Sequence, residues 1–119
     1  MIIAVDFDGT IVEPKWPEIG KVKFGAGWVI YQARKRGHKL ILWTCREGQG
    51  LEDAKAYLYG KGIDHWFSEY NNSLPETIAH FGNDSRKIGF DLCIDDKCSY
   101  IFWPFQFIRI LLAERRYGR

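Results

Sequence analysis

The chain has 119 residues, with 17 Lys and Arg against 15 Asp and Glu, for a formal net charge of +2. Hydrophobic residues make up 46% and aromatics 16%, so disordered, collagenous and low-complexity classes are excluded and a well-filled core is expected. The near-neutral balance gives no basis for a nucleic-acid partner, and no apolar run approaches the roughly 20 residues of a membrane span.

Residues 2–5 form an apolar run with β-branched members, read as a strand buried on both faces and closed by Asp6-Phe7-Asp8-Gly9-Thr10. Residues 11–23 contain Pro14, Pro17 and Gly20, so an irregular excursion is expected, with Trp16 on a short flap over the strand end. Residues 25–36 carry Ala26, Val29, Ile30 and Ala33 at helical spacing, with Gly37 as the C-terminal stop. Residues 39–44 read as a second buried strand. Leu51, Ala54 and Leu58 mark a helix face, with Glu52 and Asp53 assigned to its first turn and Gly60 and Gly62 closing it. A weaker strand follows over 63–67, a helix over 75–81, and another buried strand over 90–94 that runs into Asp95-Asp96.

The tail, 99–119, is aromatic and then amphipathic. A helix is expected from Pro104, with Phe105, Ile108 and Leu112 as an apolar stripe packed on the sheet. Phe102, Trp103, Phe105 and Phe107 also exceed what one small core requires, which makes this segment a candidate homo-oligomer surface. Alternating strands and helices imply an α/β fold: three α/β/α layers, Rossmann-like, around a mostly parallel sheet. One domain over 1–119 is expected, with no cap domain between Asp8 and Thr44.

The odd set Cys45, Cys93 and Cys98 has no metal-ligand spacing and reads as reduced, mostly buried thiols of a cytoplasmic protein. The apolar start is too short for a signal peptide. A cysteine-phosphatase loop needs Arg six residues after its nucleophile, where Leu51 and Pro104 stand, so that chemistry is excluded. His38, His65 and His80 show no ligand spacing, and the basic run over 34–39 complements the end of a helix. Arg109, Arg115, Arg116 and Arg119 read as a solvated helix face rather than a polyanion site.

The chemistry-bearing residues share one position type, the carboxyl end of an expected strand: Asp6 and Asp8, then Thr44, then Asp95 and Asp96. In open parallel sheets ligands bind outside those ends, where the strand order reverses. A lone Asp-Gly turn needs no functional reading, but two separate buried strands that each end in paired acids do. Carboxylates brought together repel one another unless a cation or proton intervenes, and hard oxygen donors suit Mg²⁺. Beside such an ion Asp6 can attack phosphorus as a nucleophile, and Asp8 can protonate the leaving oxygen and then activate water. Gly9 lets the turn bring backbone N–H groups toward phosphate oxygens, and Thr44 can donate its hydroxyl.

This ordered set resembles the haloacid dehalogenase (HAD) superfamily of phosphohydrolases, over residues 1–96, and in particular its small cap-less members. The resemblance implies a phosphomonoesterase with Asp6 as nucleophile and Asp8 as acid/base. It also implies Mg²⁺ on Asp6, Asp8 (through its carbonyl), Asp95 and Asp96, and a phosphorylated substrate near Gly9, Thr10, Thr44, Cys45 and Arg46. The family's shielding Lys, expected before the last strand, has no counterpart between Lys61 and Lys87. Asn72, Lys87, Lys97 and Arg46 are the candidates to replace it. A receiver-type phospho-acceptor domain fits less well, because the middle-chain acids Asp53 and Asp64 do not follow a buried strand. A catalytically weak binding protein of the same fold is the other alternative.

Overall fold

The computed structural model describes residues 1–117; Arg119 and the end of the tail assigned above lie outside the described residues. Strands β1 (Ile2–Val5), β2 (Lys39–Leu42), β3 (Phe67–Tyr70) and β4 (Leu92–Ile94) alternate with helices α1 (Ala26–Lys35), α2 (Gly48–Gly60), α3 (Pro75–Phe81) and α4 (Trp103–Tyr117). All strand pairs are parallel, in the order β3-β2-β1-β4. Val5 stands level with Leu42 on one side and Ile94 on the other, so Asp6, Thr44 and Asp95 leave the sheet along one edge. Sheet growth reverses direction between β1 and β4, and that reversal is a switch point of the kind where α/β sheets bind ligands.

Strand alternation divides the core. Ile3, Val5, Leu40, Leu42 and Ile94 join α1 (Val29, Ile30), α2 (Ala54, Leu58) and α4 (Trp103, Ile110) in the larger cluster. Ala4 and Ile41 on the opposite face meet Leu74 and Ile88, which flank α3. The fold is thus a three-layer Rossmann-like α/β arrangement with one thick and one thin helical layer. The thin layer relies on residues beside α3, because α3 itself buries none.

Several local expectations change. Helix α2 begins at Gly48, so Glu52 and Asp53 fall beyond its first turn, which Leu51 N–H to Glu47 O closes. The third strand begins at Phe67, four residues later than expected. Ile63 donates its N–H to Leu58 O to finish α2, and 64–66 form a 3₁₀ turn before β3 can pair. Strand β4 has only three residues. The Phe105, Ile108 and Leu112 stripe of α4 does not pack on the sheet: these residues are 54%, 50% and 58% exposed, while Trp103, Gln106 and Ile110 are buried. The thiols differ as well, since Cys45 and Cys98 are exposed and only Cys93 is partly buried; all three are free.

The basic end of α1 has a structural use. Arg36 donates twice to Glu114 of α4, both at 2.6 Å, and buried His38 places Nε2 2.8 Å from the same carboxylate. Burial lowers the His38 pKa, while hydrogen bonds from Arg36 and then His38 pull Glu114 down to about 2. Among the described residues no helix is long and apolar enough to cross a membrane.

Candidate active site

The loop after β1 is wound tightly around its own carbonyls. Phe7 O accepts from the N–H groups of Thr10, Ile11 and Val12, and Asp6 N–H donates to Ile94 O at 2.9 Å, carrying the β1–β4 ladder one step further. Gly9 has φ +80°, and a Cβ there would run into the Asp96 carboxylate. Glycine therefore both permits the turn and leaves room for the second acidic pair. Thr10 is buried and bridges the two acidic segments: its hydroxyl donates to Asp6 Oδ2 at 3.1 Å and accepts from Asp96 N–H at 3.0 Å. The Trp103 indole N–H donates to Thr10 O at 2.9 Å, which ties the start of α4 to this loop. Truncating a buried ring of this size to Ala costs about 3–5 kcal/mol, so Trp103 anchors α4 firmly where it meets the acidic loop.

Asp6, Asp95 and Asp96 each offer a carboxylate oxygen, and these atoms lie within 4.8 Å of one another. Desolvation raises the Asp6 pKa to about 7, with the neighbouring Asp95 and Asp96 adding to it and the Phe7 N–H and Thr10 hydroxyl opposing it. Three hard oxygen donors held this close, beside an open cleft, could hold a hard divalent cation.

Asp8 lines the same cleft but is not part of this triad. Arg46 donates from Nε and Nη2 to its two carboxylate oxygens, each at 2.8 Å, and from Nη2 to Glu18 O at 3.0 Å. The Arg46 side chain is 3% exposed, with its guanidinium carbon 5.5 Å from the Phe7 ring centroid and 4.8 Å from that of Trp16. The excursion over 11–23 is closed at its base by Lys23 N–H to Ile11 O and Glu13 N–H to Lys21 O. Gly20 packs directly against Glu13 O, leaving no room for a side chain. Arg46 thus joins Asp8 to the flap.

Thr44 reaches the cleft through a built loop. Its N–H donates to Asn71 Oδ1 at 2.8 Å, Asn71 Nδ2 donates to Arg46 O at 3.0 Å, and Thr44 Oγ1 accepts from Arg46 N–H at 3.1 Å. Asn71, at φ +57°, is the non-glycine residue with positive φ among those described.

The structure brings Asp6, Asp8, Thr44, Cys45, Asp95 and Asp96 to one open cleft of about 280 Å³, with Pro14, Trp16 and Lys97 completing its lining. Other expected phosphate ligands are spoken for. The Arg46 Nε and Nη2 donors are taken by Asp8 and Glu18 O, the Thr10 hydroxyl by Asp6 and Asp96, and the Gly9 N–H by Val12 O. Lys87 lines a different hollow with Phe81, Asn83 and Ser85, which shares no residue with the acidic cleft. Asn72 is exposed, and its neighbour Asn71 does the bonding. Of the four candidates for the shielding group, Lys97 is the cation in the lining. Asp53 lies in α2 and Asp64 in the 3₁₀ turn, neither at a strand end. The anchoring roles of Asn71 and Trp103 had no sequence signal beyond asparagine's tolerance of positive φ.

Fold and site define a parallel α/β protein with a carboxylate cluster at its switch point. No protein-family model matches the sequence, and no curated protein matches it. Among solved structures it is similar to "Structure of the conserved protein coded by locus from Bacteroides thetaiotaomicron", at 38% identity over 92% of this chain and 88% of that one, with a TM-score of 0.81. The chain belongs to the same family as that conserved Bacteroides thetaiotaomicron protein.

Proposed function

We propose that this protein is a Mg²⁺-dependent phosphomonoesterase of the HAD type, working through an aspartyl-phosphate on Asp6. The observation that carries this reading is the meeting of Asp6 with Asp95 and Asp96, from the ends of β1 and β4, beside Thr44 in one open cleft. Asp6, Asp95 and Asp96 would hold the ion, which supplies charge neutralisation for the phosphate oxygens. An Asp6 oxygen attacks phosphorus and the bond from phosphorus to the ester oxygen breaks, with Thr44 within the same lining to hold a phosphoryl oxygen. Asp8 gives its proton to the leaving oxygen, and then takes one from the water that attacks the aspartyl-phosphate. For either step its carboxyl must turn away from Arg46, which occupies both its oxygens. Lys97 provides the positive charge at the cleft.

The test is phosphate release from 4-nitrophenyl phosphate and a panel of phosphate esters. Wild-type protein should release phosphate only with Mg²⁺, and Asp6→Asn should reduce release to background. Equal rates from the two proteins sink the enzymatic reading. A second reading, a phosphate-binding protein of this fold with little turnover, draws on the Arg46 clasp of Asp8; it predicts Mg²⁺-dependent phosphate binding without release. The three free cysteines support a reducing, cytoplasmic setting.

A further inference from the structure

Trp16 stands out in the acidic cleft. Apart from it, the lining is built from carboxylates, Thr44, Cys45, Pro14 and Lys97, so its indole is the one large aromatic surface there. It is 63% exposed, although the flap that bears it is closed at its base by backbone hydrogen bonds. Arg46 lies 4.8 Å from its ring centroid, and the same guanidinium is fixed by Asp8, by Glu18 O and by the Phe7 ring behind it. Arg46 thus contacts both the buried Phe7 ring and the Trp16 ring, and of these two rings Trp16 is the exposed one. Exposure alone does not set this ring apart, since Phe24, Phe81 and Tyr100 are more exposed; its place in the acidic cleft beside the Arg46 guanidinium does. The cleft, at about 280 Å³, is several times larger than a phosphoryl group needs, and Trp16 lines the part left for the rest of a substrate.

We propose that Trp16, backed by Arg46, is a stacking platform, and that the substrates of this cleft are phosphomonoesters carrying a planar aromatic ring. This rests on the phosphohydrolase reading for the identity of the phosphoryl end. The ring would occupy the open side of the indole while the phosphoryl group sits at Asp6. Two kinds of molecule share this chemistry, nucleotides and aryl phosphates.

Binding measured without turnover tests the platform. Calorimetry on the Asp6→Asn protein in Mg²⁺ compares two pairs that differ in the planar group: adenosine 5′-monophosphate against ribose 5-phosphate, and phenyl phosphate against cyclohexyl phosphate. The ring-bearing member of at least one pair should bind about tenfold more tightly. That preference should disappear in Trp16→Ala and persist in Trp16→Phe. A preference confined to the first pair assigns a nucleotide, and one confined to the second assigns an aryl ester. Equal affinities within both pairs, no binding of any of these esters, or a preference that survives Trp16→Ala each overturn the platform. Phosphohydrolase activity is read separately, from Mg²⁺-dependent phosphate release by the wild type, so either idea can fail while the other stands.

Discussion

Replacing Arg46 with methionine keeps an unbranched buried stem and removes the guanidinium that clasps Asp8. The loss is two charged hydrogen bonds to Asp8, one bond to Glu18 O and the contacts with the Phe7 and Trp16 rings. Breaking a buried ion pair by deleting one partner costs about 3–5 kcal/mol. The Asp8 side chain keeps 21% of its surface exposed and can take up water once abandoned, which places the expected cost at the low end, about 3 kcal/mol. For 119 residues the unfolding entropy is about 0.25 kcal/mol/K, so the melting midpoint should fall by about 12 °C. Thermal and urea unfolding followed by circular dichroism measure this. A cycle with Asp8→Asn and the double variant should return a coupling of at least about 1 kcal/mol. A variant that melts within about 2 °C of the wild type, or a coupling near zero, would refute the claim that this pair ties the flap to the acidic loop.

Two further predictions concern the Asn71 bonds and the Glu114 cluster. Asn71→Ala removes both bonds that shape the Thr44 loop and should cost about 2 kcal/mol in urea unfolding, whereas exposed Asn72→Ala should stay within about 0.5 kcal/mol of wild type. Acid should destabilise the protein in two stages, read as melting midpoint against pH. His38 is held below its ordinary 6.5, so the unfolded chain binds its proton first and stability drops as pH falls from there. Glu114 is held at about 2 against an ordinary 4.5, so its contribution is complete above pH 4.5 and is lost toward pH 2. In Glu114→Gln the second stage should vanish, and a midpoint curve unchanged below pH 4.5 would contradict the Glu114 assignment.

The layered α/β architecture was legible in the chain because its signals are local. The apolar runs around Ile3, Ile41 and Ile94 are continuous, as strands buried on both faces require, and glycines such as Gly37 and Gly82 take the positive φ that ends a helix. Acids placed directly after such runs mark the ligand edge of a parallel sheet, so Asp6, Asp8, Asp95 and Asp96 could be picked out before any coordinates. The apolar stripe of α4 misled, because Phe105, Ile108 and Leu112 carry the right period but Trp103 and Ile110 face the core. Periodicity names a face without saying which of two apolar faces wins.

What the sequence determined by itself was the order of elements and the residue types at the strand ends, since both depend on neighbours within a few positions. Tertiary structure alone decided which side chains are free to act. Arg46 is spent on Asp8 and the flap, Thr10 on bridging the two acidic segments, and Asn71 rather than Asn72 holds the Thr44 loop. Those partners lie as far as 86 residues apart in sequence, and such pairings follow from how the sheet and the flap pack rather than from any local pattern.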